Sequence, residues 1–142
     1  MDVQNMTVAQ VMSRSLVAVG PDESPLMAWE IMRRADIHHL PVVDGNGHLC
    51  GILTREDLTT QWSGGPAEQS SVPVHTLLVD RRCPHTSPEA RLAEAAAAMV
   101  GAGVDAIPVL NESAIVTGIV TTTDVLRAVA GRLAERQGTP EL

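Results

Sequence analysis

Phenylalanine, tyrosine and lysine are absent from this chain, and Trp29 and Trp62 are its only large aromatic side chains. With so few aromatic platforms on which bases stack, nucleic acid is disfavoured as a partner. The missing lysine removes any phosphate loop of the Gly-x-x-x-x-Gly-Lys type. Positive charge is also scarce. Ten basic side chains stand against seventeen acidic ones, a net charge of −7, so the mean field repels phosphate backbones and anionic lipid. The longest apolar run, Ala95 to Val104, is about half of the ~20 residues a membrane-spanning helix needs. No nucleic acid and no membrane is therefore expected as a partner. Met1-Asp2-Val3-Gln4-Asn5 lacks the basic and then apolar stretch of a secretory signal, which makes the cytoplasm the expected location. Cys50 and Cys83, with no Cys-x-x-Cys spacing, suit neither a disulfide framework nor a zinc site and read as reduced thiols.

What is present is an aliphatic core and a repeat. Hydrophobic residues make up 44% of 142, enough for one domain or two very small ones. Sliding Pro21–Thr60 onto Pro88–Arg127, a shift of 67, superposes ten identities in forty ungapped positions, where chance gives about three. They pair Pro21 with Pro88, Ala28 with Ala95, Met32 with Met99, Ala35 with Ala102, Pro41 with Pro108, Val42 with Val109, Gly51 with Gly118, Ile52 with Ile119, Thr54 with Thr121 and Asp57 with Asp124. Upstream, Val8 to Met12 matches Val74 to Leu78 at a shift of 66. One residue is therefore inserted in copy two, near Pro84, which predicts a break in its first strand.

Each copy reads as strand, helix, strand, strand, helix. Val17 and Val19 mark a short strand; Ser24-Pro25 supplies an N-cap and a first-turn proline. Ala28, Ile31, Met32 and Ala35 form the buried stripe of the helix that follows. His39 to Val43, the turn Asp44-Gly45-Asn46-Gly47 and His48 to Leu53 make a hairpin, and Thr54 opens a helix ending near Trp62. Copy two predicts a helix over Ala90–Ala102, strands at Ala106–Leu110 and Ile115–Val120, and a helix from Thr121 towards Arg136 with Val125, Leu126, Val129 and Leu133 as its apolar face. The expected organisation is repeat 1 at 6–62, a Gly/Ser/Pro linker at 63–73, repeat 2 at 74–130, and a helix end and frayed tail at 131–142. Because ~55 residues bury too little surface to be stable alone, two small sheets packed with pseudo-twofold symmetry are expected, with clefts between the copies.

Leu40-Pro41-Val42-Val43 and Ile107-Pro108-Val109-Leu110, each followed by Gly-Ile-hydrophobic-Thr-x-x-Asp (Gly51 to Asp57, Gly118 to Asp124), resemble the tandem CBS domain pair, or Bateman module, over about residues 6–130. The resemblance implies an α+β regulatory fold rather than an enzyme, with AMP, ADP, ATP or S-adenosylmethionine as a regulatory ligand in inter-repeat clefts. No cofactor is required. It also implies a homodimer and a protein target that the chain does not identify. Lining positions carried over by the resemblance are Val17, His39 and Pro41 in copy one, and Thr86, Ala106 and Pro108 in copy two, beside the Thr-x-x-Asp turns.

The turns themselves admit two readings. A carboxylate is a pure acceptor, so Asp57 or Asp124 can take both hydroxyls of a ribose cis-diol. Thr54 and Thr121 stand where a strand hands over to a helix, whose free N–H groups suit a phosphate. The same residues equally make a capping box, in which a Thr caps the helix and the acidic residue three positions on bonds back. Gly51 and Gly118 mark either a ligand's close approach or hairpin geometry. Pro41 and Pro108 either leave neighbouring backbone open to an adenine edge or block an edge strand. Arg55 is positioned to reach a phosphate where copy two offers Thr122, so the clefts are unequal. Arg81 and Arg82 read as a solvated pair or a polyphosphate contact.

Other chemistries find little support. His38 and His39 are strand neighbours on opposite faces, a poor chelating pair. Asp44-Gly45-Asn46-Gly47 lacks the distal Glu of a calcium loop. Ser13, Ser15 and Ser24 lie in no nucleophile elbow. A nucleotide sensor leads, a ligand-free dimerisation or interaction module is the alternative, and an enzyme is far behind.

Overall fold

The computed structural model describes residues 3–14, 16–60, 72–78 and 83–136, without the side chains of 132–136. The expectations for Ser15, Trp62, the linker up to Ser71, Arg81, Arg82, the Leu133 side chain and the tail from Gln137 lie outside the described residues. In chain order the elements are α1 (Val8–Val11), α2 (Pro25–Ala35), β1 (His39–Val43), β2 (Leu49–Thr54), α3 (Arg55–Thr60), α4 (Leu92–Ala102), β3 (Ala106–Leu110), β4 (Val116–Thr121) and α5 (Thr122–Arg136), with 3₁₀ turns at Val3–Asn5 and Val74–Leu78. The fold is α+β, with β1 paired to β2 and β3 to β4 in two small antiparallel sheets. By contacts it divides into a first unit of Val17–Cys83 with Ala114–Val116, and a second of Met1–Leu16, Pro84–Ser113 and Thr117–Leu142.

In the first unit, Ser24 caps α2 by accepting from the Met27 N–H at 3.1 Å, with Pro25 at the first helical position. Ala28 and Met32 are fully buried and Ile31 packs partly against them, but Ala35, in the last turn, is exposed. Asp36, left-handed at φ 55°, ends the helix. The hairpin sets Pro41 opposite Ile52 and Val42 opposite Gly51. Its core joins Val19, Ala28, Met32, Leu40, Val42, Leu53 and Leu58 to Val74 and Leu78. The last two arrive from beyond the linker, where the Val74 N–H donates to the Glu23 carbonyl at 2.8 Å and that of His75 to Pro21 at 3.1 Å.

The second unit repeats this plan with equivalent residues. Its core is Val8, Met12, Leu92, Ala95, Met99, Ile107, Val109 and Val120. Val8 and Ala9 donate to the carbonyls of Ala90 and Pro88 at 2.8 and 3.0 Å, as Val74 and His75 do in the first. α4 starts at Leu92 rather than Ala90, because Arg91 takes the N-cap position and its N–H donates to Glu94 Oε1 at 3.1 Å. In α5 only part of the expected apolar face is inward. Val125 and Ala128 pack on the core, whereas Leu126 and Val129 are 61% and 37% exposed.

The first strand of each copy is shorter than expected, a single parallel bridge: Val19 with Val42 and Thr86 with Val109, again 67 apart. The irregularity at Pro84 thus lies upstream of the pairing point and does not prevent it. β1 has β2 on one side and Val19 on the other, and the Pro41 carbonyl accepts from the Val19 N–H at 3.0 Å.

The β1–β2 turn carries a pH-sensitive element. Asp44 Oδ1 accepts from the N–H groups of His48 at 3.0 Å and Asn46 at 2.9 Å. The His48 bond first, then the Asn46 bond, holds the carboxyl below the usual carboxylate range by favouring its charged form. With the folded-state pKa lowered, the contribution to stability is complete above the ordinary value and disappears as pH falls through the lower one. An NMR titration should place the Asp44 midpoint below that of an unbonded aspartate, and Asp44→Ala should flatten the acid limb of the stability curve. An ordinary midpoint would remove this account.

Candidate functional site

Strand β2 passes directly into α3, so Thr54 carries the last strand position and the orphan N–H groups of the helix begin beside it. A Thr followed three residues later by an acid closes such a terminus, and it does. The Thr54 N–H donates to Asp57 Oδ2 at 2.8 Å while the Asp57 N–H donates to Thr54 Oγ1 at 3.0 Å. At the β4–α5 junction the Thr121 N–H and hydroxyl both donate to Asp124 Oδ2, at 2.9 and 3.1 Å, and the Asp124 N–H donates to Thr121 Oγ1 at 3.3 Å. Both capping boxes are therefore formed. Each uses Oδ2 of its carboxylate, and all four residues are half-buried. A box of this kind fixes the carboxylate rotamer in advance, which is also what a diol-binding acceptor requires.

The neighbours of the turns differ between the copies. Arg55 lies against the C-terminus of α2: its Nε donates to the Ile37 carbonyl at 2.9 Å and its Nη2 to that of Met32 at 3.3 Å. Its 3.8 Å approach to Asp36, whose side chain is 94% exposed, adds little in water. A guanidinium there satisfies orphan carbonyls and complements the negative helix end. In copy two Gly103 takes the left-handed position of Asp36. Thr122 replaces Arg55, its N–H and hydroxyl both donating to the Asp105 carbonyl, at 2.9 and 3.3 Å. Sequence reasoning missed the clamp, though a signal existed: one copy has Asp36 with Arg55 where the other has Gly103 with Thr122.

The remaining expected residues fall on the strands. In the first unit His39 stands opposite Thr54 in the register and is half-buried, Pro41 is buried, and Val17 is 38% exposed. In the second, the Thr86 N–H donates to the Pro108 carbonyl at 3.0 Å, and Ala106 and Pro108 are buried. His38, in the bend before β1, is exposed where His39 is half-buried.

Among the described residues no group of three or more His, Cys, Asp or Glu could hold a metal ion, and no helix is long and apolar enough to cross a membrane. Desolvation by neighbouring atoms, and then the Asp44 carboxylate, pushes the thiol of the exposed Cys50 up, which disfavours the thiolate a nucleophile needs.

Comparison with known proteins agrees with this arrangement. The sequence pattern of the CBS domain matches residues 8–63 and 74–131. The chain is 32% identical over 117 residues to a homoserine O-acetyltransferase of Methanocorpusculum labreanum, a match covering 82% of this chain but 23% of that protein. It is 30% identical over 127 residues to a CBS domain-containing protein of Dictyostelium discoideum, covering 84% and 88%. Among solved structures, the CBS domain pair of protein MJ0100, in complex with 5′-methylthioadenosine and S-adenosylmethionine, superposes with a TM-score of 0.77 at 24% identity over 89% of this chain and 98% of that one. CBSX2 in complex with AMP gives a TM-score of 0.70 at 22% identity over 89% and 97%.

Proposed function

The chain belongs to the CBS domain family, with two of its domains in tandem, and from that premise we propose that it is a regulatory sensor of an adenosine-containing metabolite that signals to a protein target. The observation that carries this is the pair of Thr-x-x-Asp boxes at equivalent β–α junctions, each holding a carboxylate in one fixed rotamer. A carboxylate so held keeps acceptor capacity beyond the one bond its box takes, and the proposed role is to accept from a ribose hydroxyl. The residues proposed to contact the ligand are Val17, His39, Pro41, Thr54 and Asp57 from copy one and Thr86, Ala106, Pro108, Thr121, Thr122 and Asp124 from copy two. Arg55 belongs to the proposal as the residue that holds the end of α2 beside the Thr54–Asp57 turn. Chains of the same fold hold AMP, S-adenosylmethionine or 5′-methylthioadenosine, which supports the ligand class. A cytoplasmic homodimer belongs to the same proposal, and the exposed Leu126 and Val129 of α5 are apolar surface that a second copy would cover.

One observation favours a second reading, an interaction module that binds no ligand: both boxes are complete without one. Thermal unfolding with AMP, ADP, ATP and S-adenosylmethionine separates the two. A ligand at about a hundred times its dissociation constant stabilises the chain by ~2.7 kcal/mol. We expect one of the four to raise the unfolding temperature; no shift with any of them would leave the interaction module standing.

A further inference from the structure

Independently of any ligand, we propose that Asn46 is a site of covalent modification by the chain's own backbone. The Gly47 nitrogen displaces the Asn46 side-chain amide as ammonia, and Asp44 sets the pace by clasping the turn in which both residues lie.

The turn Asp44-Gly45-Asn46-Gly47 holds an electrophile beside an unhindered nucleophile. Asn46 is exposed. The residue after it has no Cβ to shield its nitrogen, and glycine suits that place because the backbone is left-handed there, at φ 84°. In the reaction the Gly47 nitrogen loses its proton to water and bonds to Asn46 Cγ. The bond from Cγ to the side-chain nitrogen breaks, and ammonia leaves with a proton taken from water. A five-membered imide results, and nothing is oxidised or reduced. Water then opens the ring at either carbonyl, which leaves at position 46 an aspartate or an isoaspartate whose main chain runs through the β-carbon.

Asp44 stands in the same relation to Gly45, but its carboxylate is held by the N–H groups of His48 and Asn46, at 3.0 and 2.9 Å. A charged carboxylate resists attack where a neutral amide does not. Asn5 is followed by Met6 and Asn111 by Glu112, whose side chains crowd the attacking nitrogen. Asn111 Oδ1 is also engaged, by the Ser113 N–H at 2.9 Å.

The same turn supplies a brake. The Gly47 N–H donates to the Asp44 carbonyl at 3.0 Å, and the Asn46 N–H is tied to the Asp44 carboxylate. Attack therefore needs a local opening of the turn, and Asp44 is the positioning residue that opposes it. The consequence of reaction reaches past the turn. The Asp44 N–H closes the hairpin on the His48 carbonyl at 2.9 Å, the Gly47 carbonyl accepts from the Val116 N–H at 3.3 Å, and His48 forms a bridge with Ile115. An isoaspartate adds one main-chain atom between Asp44 and Gly47, which throws these bonds out of register. The hairpin thereby loses its hold on Ala114–Val116, which belong to the same unit.

Incubation of the full chain in warm, mildly alkaline buffer is the test, followed by peptide mass mapping and labelling with an isoaspartyl methyltransferase. Asn46 should convert before Asn5 and Asn111, and Asn46→Gln, which would need a six-membered ring, should stay unmodified at this position. Asp44→Ala should convert about tenfold faster than the parent, and the parent in urea, where the clasp is gone, at least as fast as that variant. Conversion led by Asn5 or Asn111, or none at Asn46 in the folded parent, would overturn the site. Equal rates in the parent and a folded Asp44→Ala would overturn the clasp. Should Asp44→Ala fail to fold, the folded parent against the parent in urea decides, and equal rates there count against the proposal. Aged protein should unfold at lower denaturant than Asn46→Asp, which adds the charge without the extra main-chain atom; coincident curves would overturn the loosening of Ala114–Val116.

Discussion

Gly118→Val is expected to destabilise the second unit by about 3–5 kcal/mol, the sum of overpacking and two strained backbone hydrogen bonds. A Cβ at this position would lie 2.8 Å from the Ser13 carbonyl oxygen and 2.9 Å from Met12 Sδ. Thioethers are flexible, and Met12 can turn aside. The carbonyl cannot, because Ser13 is tied to Ile119, one residue from the substitution, by hydrogen bonds of 2.9 and 3.1 Å running both ways. Relief therefore means pulling the N-terminal segment off β4, which also drags Met12 and the fully buried Val8 out of the core. Denaturant unfolding should show a lower midpoint for Gly118→Val, with Gly118→Ala between it and the parent. Adding Met12→Ala should not rescue the valine variant, since the carbonyl remains in place. A midpoint equal to the parent's would mean that the segment around Ser13 shifts freely and that the glycine has no packing reason to be there.

The contact at Gly118 also marks where the sequence stops being legible. The shift of 67 located both hairpins, both core helices and the paired turns, because each rests on local chemistry: Ser24-Pro25 opens α2, Asp44 to Gly47 turns the chain, and Thr54 with Asp57 closes the start of α3. The match of Val8–Met12 to Val74–Leu78 was equally visible as a repeat. Its destination was not. Each of these segments joins the unit built mainly from the other copy, so that Met12 meets Gly118 and Leu78 Cδ1 would lie 3.0 Å from a Cβ at Gly51. No local preference encodes such a choice, because Val8 and Val74 are equally apolar and either would fill either core. Exposure of Leu126 and Val129 was misjudged for a similar reason. Periodicity shows that α5 has an apolar stripe, but only the packing of Val125 and Ala128 shows which edge of the stripe is covered. For the site, sequence left the Thr-x-x-Asp turns between cap and ligand contact. The structure shows the cap to be present in both copies.

Asp57→Asn is the substitution that parts those two roles, and we expect it to lower affinity for an adenosine nucleotide by about 10- to 100-fold, the range for losing a hydrogen bond to a charged acceptor. An asparagine keeps one carbonyl oxygen, which can still receive the Thr54 N–H now held by Asp57 Oδ2. The other oxygen becomes an NH₂ group, which cannot accept from a ribose hydroxyl. The cap therefore survives, and stability should fall by no more than a few tenths of a kcal/mol, the share owed to lost charge at a helix N-terminus. Asp57→Ala removes both functions and should add a stability loss of about 1 kcal/mol to the same loss of affinity. Thr54→Val completes the set, since it deletes the hydroxyl that accepts from the Asp57 N–H; it should destabilise the junction yet leave the carboxylate available. Asp124→Asn is the matching substitution in copy two, whose box is built in the same way; a loss of affinity there would show that its carboxylate also takes a ribose hydroxyl. Titration of the four variants beside their unfolding curves gives each pair of numbers. Parent-like binding by Asp57→Asn, with a stability loss confined to Asp57→Ala, would assign the carboxylate to the helix end alone.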